Sequence, residues 1–369
     1  MASTRTLLSR LTVAKSDEPR QRVVAEKEVF RPSESIFDAN VWKIFVPASA
    51  MNIRRVDLVF SKQNDGSYKG KWETIPFADH TAVGFAVSEK YFGEGAERIV
   101  YKMTELDAKT HAVGPALVAK ESLYKQKKQD ACHLEKWHRI FVKTQRRAFK
   151  LAEKFNAKLN ELGVDKLIYR IKFLSCSIYN AEVGGTSYSF LAEKQLDPHK
   201  YLKYNNNAGG VDGNAQQNAI NVVIPPLPAI LKPVSGKKLT LGVINEDEED
   251  EESDSDNDGD ADGPLSEFVA NGKTMELQSK VLDGDIPQAF THWTYKHTQR
   301  DEMVCDLQGQ LNLEGGYFEL TDPCIHSSYR IKNFGRTDHG QQGFQLFFNS
   351  HQCNHLCKIL SIANNTYKG

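Results

Sequence analysis

Alternating apolar and polar positions run through the first part of the chain, beginning near Trp42. Residues 56–60 alternate in this way, an Asn-Asp-Gly sequence follows at 64–66, and residues 71–73 alternate again. A period of two is typical of half-buried strands, and Asn-Asp-Gly suits a tight turn. The pattern predicts a strand, a hairpin turn and a returning strand. The same alternation at 167–173 predicts a further half-buried strand.

One long stretch with helical periodicity lies in the middle of the chain. Its apolar residues recur at steps of three, four or seven, which predicts one face of an α-helix of roughly eight turns. These residues are Leu134, Trp137, Phe141, Ala148, Leu151, Phe155, Leu159 and Leu162. Gly163 is predicted to end the helix. The opposite face, which we interpret as solvent-exposed, carries Lys143, Arg146, Arg147, Lys150 and Lys154.

Two acidic residues in the C-terminal third are the first candidates for chemistry. A short apolar strand leads into Asp306 and Gln308, and Asp322 follows in a turn. A carboxylate at the end of a strand faces a cleft yet is held rigidly, which suits a general base or a metal ligand. Carboxylate and amide oxygens are hard ligands of the kind that Mg²⁺ takes. The spacing alone is also compatible with an ordinary strand and turn that have no catalytic role.

Lys120 closes another apolar strand, which is predicted at 116–120. A lysine at the end of a buried strand commonly extends along the surface until its ammonium group reaches water. The alternative is an amine that binds a phosphate group. The residues alone leave both interpretations open.

Cysteine and histidine cluster near the C-terminus. Residues 344–359 are predicted to form one helix, in which Cys353 and Cys357 share a face because they are four positions apart. With His351 two residues earlier, these side chains suit Zn²⁺, which takes four ligands in a tetrahedron. Buried cysteines that pack as small apolar groups are the alternative. The candidates for a fourth ligand are His292, His326, His339 and His355.

Composition restricts the class of protein. With 40% hydrophobic and 26% charged residues among 369, the chain is typical of a globular protein with a sizeable core. No apolar run reaches 18 residues, so we expect neither a membrane span nor a membrane partner. Six cysteines without a secretion signal favour reduced thiols or metal ligands and a cytoplasmic location.

Two segments are predicted to lie outside the folded domain. Residues 1–35 are polar and are expected to form a flexible arm. Residues 211–280 are first rich in proline and then acidic, and we expect a disordered insertion there. Its run at 246–262 has twelve acidic and no basic residues, which leaves 47 basic against 36 acidic residues elsewhere. That excess favours an anionic ligand such as a nucleotide phosphate, but the basic residues are too dispersed to predict nucleic acid binding.

Taken in order, these segments resemble the alpha-kinase family of atypical protein kinases, which includes myosin heavy chain kinases and the elongation-factor kinase. The resemblance implies an α+β, two-lobed, protein-kinase-like fold at 36–365 with a structural zinc site in the C-terminal lobe. The N-lobe would cover about 40–192, and the C-lobe about 193–210 and 281–365. The matching segments are FGEGAER (92–98), LVAK (117–120), FLAEK (190–194), KYNNNAG (203–209), AFTHWTY (289–295), CDLQG (305–309), LTDPCIHS (320–327) and HQCNHLC (351–357).

The resemblance also implies roles for individual residues in an ATP-dependent serine/threonine kinase that acts on protein. Lys120 and Arg98 would lie at the ATP phosphates, and Glu193 at the hinge near the adenine. Lys203 would follow in the nucleotide site. Asp306 would orient or deprotonate the substrate hydroxyl. The implied metal ligands are Gln308 and Asp322 for Mg²⁺, and His292, His351, Cys353 and Cys357 for Zn²⁺.

The chain departs from the family pattern at two places. The family loop at 335–340 commonly reads GxGxxG, but Thr337 replaces the middle glycine and Asp338 the usual asparagine. This difference puts substrate recognition, more than catalysis, in question. The segment at 310–319 is longer than usual, and we expect that it can displace the second metal ligand. The alternative to a kinase is a catalytically weak or inactive relative, a zinc-stabilised module that binds protein.

Overall fold

The computed structural model describes most of the chain between residues 41 and 363. The predicted arm at 1–35, the predicted turn at 64–66 and most of the predicted insertion at 211–280 lie outside the described residues. The described ranges are 41–63, 68–95, 98–122, 131–165, 168–211, 219–223, 253–254, 278–329 and 333–363.

Helices and strands are mixed along the described ranges, which confirms the predicted α+β class. The helices there are α1 (Ala131–Glu161), α2 (Asp285–His297), α3 (Gln341–Ser350) and α4 (His355–Ile359). None of these helices is long and apolar enough to cross a lipid bilayer. The strands are β1 (Trp42–Phe45), β2 (Met51–Lys62), β3 (Tyr68–Ile75), β4 (Gly84–Glu94), β5 (Arg98–Leu106), β6 (Ala112–Ser122), β7 (Arg170–Phe173), β8 (Cys176–Val183), β9 (Thr186–Lys194), β10 (Leu202–Lys203), β11 (Ala219–Val223), β12 (Ser253–Asp254), β13 (Gln278–Leu282), β14 (Glu302–Cys305), β15 (Gln308–Asn312), β16 (Tyr317–Thr321) and β17 (Cys324–Ser327).

The larger sheet has nine antiparallel strands in the order β1-β4-β5-β6-β9-β8-β2-β3-β12. Strands β2 and β3 pair as the alternation predicts, with Leu58 opposite Trp72. Helix α1 packs against this sheet through Val142, which shares a buried cluster with Leu58, Ile178 and Leu191. An aromatic cluster with Phe45, Phe85, Tyr179 and Phe190 completes the core of this region.

The C-terminal part has a smaller sheet in the order β10-β15-β16-β7, in which β7 is parallel to β16, and a separate pair of β14 with β17. Its core includes Phe155 of α1, Phe290 of α2, Phe318 of β16 and Leu356 of α4. Helix α1 therefore contributes to the cores of both regions. Strands β11 and β13 pair antiparallel, which brings the two ends of segment 224–277 together.

Helix α1 confirms the predicted period and end, but its basic face is not simply exposed to solvent. Gly163 follows the helix with φ +68°, a conformation that favours glycine. On the basic face, Arg146 pairs with Asp57 of β2 at 2.9 Å, and Arg147 pairs with Glu302 of β14 at 2.7 Å. The prediction of a solvated face is wrong for these two arginines, because the helix packs against elements from both regions.

The prediction of one helix at 344–359 is wrong, because the chain leaves the helix at His351 and begins a new one after Asn354. His351 is extended, with φ −75° and ψ 125°. The Asn354 side chain accepts a hydrogen bond from the Cys357 N–H at 3.0 Å and donates one to the Asp285 carbonyl at 2.8 Å. Asparagine is a favoured residue before the first turn of a helix. A local indication of the break was therefore present in the sequence.

The long segment after Gln308 forms a hairpin of β15 and β16. Its register places Gln308 directly opposite Thr321, while Leu313 at the tip is exposed. The additional residues extend the hairpin at the end remote from this pair. The expected displacement of Asp322 from Gln308 is therefore wrong.

Candidate active site and metal centre

Lys120 lies at the centre of a buried ion-pair network. Its Nζ is 2.5 Å from Glu193 Oε1, 2.7 Å from Asp322 Oδ2 and 3.3 Å from the Thr321 hydroxyl. The residue is only 4% exposed. A buried ammonium group is tolerated where acidic partners surround it. The structure therefore excludes the interpretation in which the Lys120 side chain extends along the surface to water.

Glu193 has protein donors on both carboxylate oxygens. The Thr321 hydroxyl is 2.6 Å from Oε1 and 2.7 Å from Oε2, and Gln145 Nε2 donates to Oε2 at 3.0 Å. The expected place of Glu193 at the hinge near the adenine stays a prediction, while its carboxylate is a partner of the Lys120 ammonium group. The reason for this pairing is the β6–β9 register, in which Lys120 lies opposite Leu191, so that Lys120 and Glu193 are diagonal neighbours on one face.

Asp322 faces two basic side chains in the turn after β16. Its φ is +51°, in the left-handed region that aspartate tolerates better than most residues. Arg98 Nη1 is 2.8 Å from Oδ1, and Lys120 contacts Oδ2. Although burial alone would raise it, Arg98 and Lys120 hold the pKa of the Asp322 carboxyl below its ordinary value. Asp322 is therefore ionised at neutral pH.

Asp306 follows β14, and its electrostatic balance is the reverse of that at Asp322. Its φ is +58°. The ammonium group of Lys203 in β10 contacts Oδ1 of the carboxylate, and the Lys203 side chain is 44% exposed. Burial nevertheless raises the pKa of Asp306 above its ordinary value, and the charge of Asp322 adds to this increase. A partly buried carboxyl with a raised pKa suits the acceptance of a proton.

Gln308 lies between the two aspartates. Its Nε2 is 3.4 Å from Asp306 Oδ2 and 3.4 Å from the Asp322 carbonyl oxygen. The next residue, Gly309, has φ +148°, and a Cβ at this position would lie 2.0 Å from the Glu319 carbonyl oxygen. Only glycine fits, because β15 and β16 approach closely here.

The network contains the seven residues predicted for catalysis, nucleotide and Mg²⁺, which are Arg98, Lys120, Glu193, Lys203, Asp306, Gln308 and Asp322.

Three residues that the sequence analysis did not select support this network. Gln145 and Thr321 hydrogen-bond to Glu193, and the Asn205 side chain accepts a hydrogen bond from the Leu307 N–H at 2.8 Å. Thr321 and Asn205 lie inside matching segments, so only their roles were missed. Gln145 interrupts the apolar stripe of α1, and a polar residue at such a position is itself an indication of a buried hydrogen-bond network.

A second cluster lies where helix α2 meets the break between α3 and α4. It contains His292, His351, Cys353 and Cys357, whose ligand atoms lie within 4.8 Å of one another. His292 Nδ1 is 3.2 Å from His351 Nε2 and 3.7 Å from Cys353 Sγ. His351 Nε2 is also 3.6 Å from Cys357 Sγ. The structure thus brings together the four predicted zinc ligands.

The geometry of this cluster fits a tetrahedral zinc ion. Four ligands at ordinary Zn–N and Zn–S bond lengths lie about 3.3–3.8 Å from one another. Three of the separations, at 3.2, 3.6 and 3.7 Å, are close to this range, and the four ligand atoms all lie within 4.8 Å of one another. Burial lowers the pKa of His351 to about 4, so its imidazole is neutral, as ligation requires. With two nitrogen and two sulfur donors from the protein, a bound zinc ion would have no position left for water, which is typical of a structural site.

The other histidines considered as a fourth ligand have different surroundings. His326 Nε2 donates to the Asn207 carbonyl at 2.7 Å, and its Nδ1 accepts from the His339 N–H at 3.1 Å. Burial lowers the pKa of His326, in agreement with a neutral ring that donates on one side and accepts on the other. His355 is an exposed residue at the start of α4.

Asp338 organises the loop at 335–340. Its Oδ1 accepts from the Ser327 N–H at 3.0 Å and the Gly340 N–H at 2.8 Å, and its Oδ2 accepts from the Phe334 N–H at 3.3 Å. Ser327 ends β17, which pairs with β14 just before Asp306. The loop is therefore fixed to the same strand pair that carries the candidate base.

Sequence comparison finds several curated kinases that match parts of this chain. The alpha-protein kinase vwkA of Dictyostelium discoideum is 41% identical over 79 residues, which are 21% of this chain and 12% of that protein. Myosin heavy chain kinase B of the same organism is 38% identical over 80 residues, 22% of this chain and 10% of that kinase. Human (Homo sapiens) eukaryotic elongation factor 2 kinase is 38% identical over 103 residues, 26% of this chain and 13% of the kinase. The chain thus spans only 10–13% of the length of these relatives.

Structure comparison aligns the chain with alpha-kinase domains. The domain of myosin heavy chain kinase A in complex with AMP is 20% identical, with 76% of this chain and 90% of that chain covered and a TM-score of 0.45. An alpha kinase from Entamoeba histolytica is 16% identical, with 86% and 92% covered and a TM-score of 0.46. The family model for the alpha-kinase family matches residues 93–223 and 261–357, more than half of the chain. The chain belongs to the alpha-kinase family.

Proposed function

We propose that this protein is an atypical serine/threonine protein kinase that transfers the γ-phosphate of ATP to hydroxyl groups of a protein substrate. The observation that carries the proposal is that Lys120, Asp306 and Asp322 meet in one network at or near the ends of different strands. Phosphoryl transfer needs mainly positioning and neutralisation of charge. The network offers cations for the phosphates and a carboxylate for the acceptor hydroxyl. Membership of the family supports the same reaction.

Arg98, Lys120 and Lys203 are the proposed contacts to ATP. Arg98 and Lys120 each direct an N–H group to Asp322, and ATP phosphate oxygens would compete for these donors with charge-assisted hydrogen bonds. Glu193 would keep the Lys120 amine in place, since its carboxylate is held there by three donors. The exposed part of Lys203 provides a third positive charge on the same side as Asp306.

Asp306 is the proposed base for the acceptor hydroxyl. Its raised pKa favours transfer of the hydroxyl proton to the carboxylate while the hydroxyl oxygen forms a bond to the γ-phosphorus. The bond that breaks joins the γ-phosphorus to the oxygen bridging the β- and γ-phosphates, and ADP leaves with the electron pair. The Lys203 ammonium group on Oδ1 and the Gln308 amide near Oδ2 would orient the carboxylate.

Gln308 and Asp322 are the residues that would hold Mg²⁺. Both offer hard oxygen atoms, and Asp322 stays ionised because Arg98 and Lys120 lower its pKa. The amide of Gln308 can present its oxygen instead of its nitrogen after a half-turn about its last side-chain bond. When bound, Mg²⁺ would neutralise charge on the transferring phosphate.

We further propose that His292, His351, Cys353 and Cys357 bind a structural zinc ion. The measured separations of the four ligand atoms support this assignment. The ion would join α2 to the segment around α4, and α2 leads into β14, which ends just before Asp306. Zinc would therefore stabilise the region that positions the base.

The division into two lobes belongs to the same proposal. The N-lobe, at about 40–192, would include most of the nine-stranded sheet, and the C-lobe, at 193–210 and 281–365, most of the smaller sheet. Residues 1–35 would form an arm and residues 211–280 an insertion, whose ends the pairing of β11 with β13 would hold together. We propose a cytoplasmic location on the basis of the free cysteines.

The test is transfer of radiolabelled phosphate from ATP with Mg²⁺, to the protein itself and to a generic basic protein. Wild type is compared with Asp306→Ala and with Asp306→Asn, which keeps the size of the side chain and removes only its charge. We expect incorporation by wild type and a loss of about 10²–10⁴-fold in both variants. A folded, zinc-loaded wild type that transfers nothing would contradict the proposal and favour the inactive, protein-binding relative.

A further inference from the structure

Gln145 occupies an unusual position in the middle of helix α1. It follows Phe141 by four residues and precedes Ala148 by three, so it lies in the stripe of α1 that packs into the protein. Only 3% of the residue is exposed. Burial of an amide is costly unless its polar atoms form hydrogen bonds. The position therefore requires an explanation beyond the packing of the helix.

The amide of Gln145 links three segments of the chain. Its Nε2 donates to the Leu174 carbonyl at 2.7 Å and to Glu193 Oε2 at 3.0 Å. Its Oε1 accepts from the Asp322 backbone N–H at 3.3 Å. The partners also fix the orientation of the amide, because a flipped amide would place its oxygen against a carbonyl and a carboxylate.

The two links to Glu193 and Asp322 both bear on the Lys120 ammonium group. Glu193 holds Nζ at 2.5 Å and Asp322 holds it at 2.7 Å. The hydrogen bond from Gln145 restrains the Glu193 carboxylate, and the bond to the Asp322 N–H restrains a residue with φ +51°. Gln145 of helix α1 thus contacts both acidic partners of Lys120.

We infer that Gln145 is a positioning residue, which couples the place of helix α1 to the geometry of the Lys120, Glu193 and Asp322 groups. This inference rests on the proposed kinase function of that network. Gln145 touches none of the reacting groups itself and acts through the Glu193 carboxylate and the Asp322 backbone N–H. A shift of helix α1 would therefore move the groups that bind nucleotide, while a fixed helix keeps them in register.

The first test compares Gln145→Met with Thr144→Val. Methionine keeps the length of the side chain without its hydrogen bonds. Thr144 is the matched control, since it is equally buried and its hydroxyl donates to Ile140 of the same helix at 2.8 Å. We expect kcat/KM for ATP to fall about 10–100-fold in Gln145→Met and to stay near the wild-type value in Thr144→Val. Equal kcat/KM in the two variants would overturn the inference.

A second variant, Gln145→Glu, gives a result that a merely structural role would not produce. The protonated glutamic acid has the shape of glutamine and can donate to Glu193, whereas the ionised form sets two carboxylates against each other. The charged groups of the network at this position are Glu193 of β9, Lys120 of β6, and Asp322. We expect the kcat/KM of Gln145→Glu to fall, relative to wild type, as pH rises. A pH profile parallel to that of wild type would contradict the coupling.

A measurement of nucleotide binding distinguishes failure of this inference from failure of the proposed function. The dissociation constant of a fluorescent methylanthraniloyl-ADP is measured for wild type, Gln145→Met, Glu193→Gln and the double variant. We expect a larger dissociation constant in each single variant. In the double variant, the factor by which this constant rises should be smaller than the product of the two single factors. If wild type transfers no phosphate, the kinase proposal fails. The dissociation constants would still show whether Gln145 is coupled to Glu193. Equal constants for wild type and Gln145→Met, or strictly multiplicative effects, would overturn this coupling.

Discussion

The ion-pair network around Lys120 and the cluster around His351 both join distant segments, but their electrostatics differ. The network contains three acidic and three basic side chains, so its charges balance within the protein. The cluster consists of two imidazoles and two thiols, so it has no carboxylate and no ammonium or guanidinium group to form an ion pair within it. A balanced network can hold its own geometry. Four ligand atoms so close together would gain most of their stabilisation from the proposed shared cation.

The comparison teaches what each centre contributes. The network is made of side chains at strand ends, and loss of one member leaves the sheets paired while the remaining charges lose their balance. The cluster lies at a break between two helices, and the second of them, α4, covers only His355–Ile359. We therefore expect changes in the cluster to affect folding first, and changes in the network to affect chemistry first.

Loss of a zinc ligand is expected to have the largest effect on stability. His351→Ala or Cys357→Ala removes one of four ligands, and structural zinc contributes about 10–16 kcal/mol of apparent binding free energy in small zinc-binding peptides. We expect the bound zinc, measured by elemental mass spectrometry, to be lost, and the melting temperature of the protein to fall far below that of wild type.

The matched control for the zinc variants is Cys324→Ala. Cys324 is also buried, but its thiol donates to the Thr337 carbonyl at 3.1 Å and it lies outside the cluster. This variant should keep its zinc. An unchanged melting temperature together with full zinc content in His351→Ala would remove the case for a structural ion.

Lys120→Met is expected to have the next largest effect. The change keeps the volume of the side chain but leaves the Glu193 carboxylate buried without its cation, which costs about 3–5 kcal/mol when a buried pair is broken. Denaturant unfolding measures the loss of stability. The double variant Lys120→Met with Glu193→Leu removes both charges and should recover stability but no turnover. Failure of the second change to restore any stability would show that the ion pair is not the source of the loss.

The two aspartates are expected to respond to pH with opposite signs. The lowered pKa of Asp322 contributes stability above the ordinary aspartate pKa of 3.8, and this contribution is lost as pH falls through its folded-state value. The raised pKa of Asp306 gives stability that is present below 3.8 and is lost as pH rises through its folded-state value. At pH 7, Asp322→Asn should therefore lower the free energy of unfolding and Asp306→Asn should increase it.

Unfolding in urea at pH 7 and near pH 4 checks this pair of signs. The difference for Asp306→Asn should shrink at the lower pH, because its raised pKa brings this carboxyl toward protonation there. The difference for Asp322→Asn should stay close to its value at pH 7, because pH 4 still lies above the lowered folded-state pKa of Asp322. Both variants keep the left-handed backbone accessible, since asparagine tolerates it as aspartate does. The same sign for the two variants at pH 7 would contradict the opposite electrostatic balances.

Asp338→Asn is expected to have the smallest effect. An amide in place of the carboxylate loses the acceptor that faces the Phe334 N–H, while the oxygen toward Ser327 and Gly340 remains. One lost hydrogen bond costs about 1 kcal/mol. The zinc content should stay complete, and a small decrease in thermal stability is the measure. A large loss of zinc would mean that the loop and the metal cluster are coupled.

Much of the fold could be predicted from the order of apolar and polar residues. The hairpin of β2 and β3 and the length of α1 follow from periods of two and of about 3.6 residues. Four of the seven network residues could be selected as candidates from their positions near strand ends, but Arg98, Glu193 and Lys203 could be selected only through matching segments. Strand-end acids alone do not identify a function. Gln145 shows what the period still offers, since a polar residue within an apolar stripe indicates a buried partner.

The rest could not be predicted because it depends on contacts between distant segments. Asn354 gives a local indication of the break at 351–354, but no local property of HQCNHLC shows the contact of its side chain with Asp285 of α2. The partner of Glu193 depends on the register of β6 and β9, which the separate strands do not specify. The exposure of Arg147 depends on Glu302, 155 residues away along the chain.

Helix α1 has a consequence for how the domain unfolds. Its side chains belong to the core beneath the nine-stranded sheet, through Val142, and to the core of the C-terminal region, through Phe155. Neither core can open fully while this helix remains in place, and the helix cannot leave one without exposing apolar surface of the other. The two regions should therefore melt as a single cooperative unit, with the slowest amide hydrogen exchange in the middle of α1.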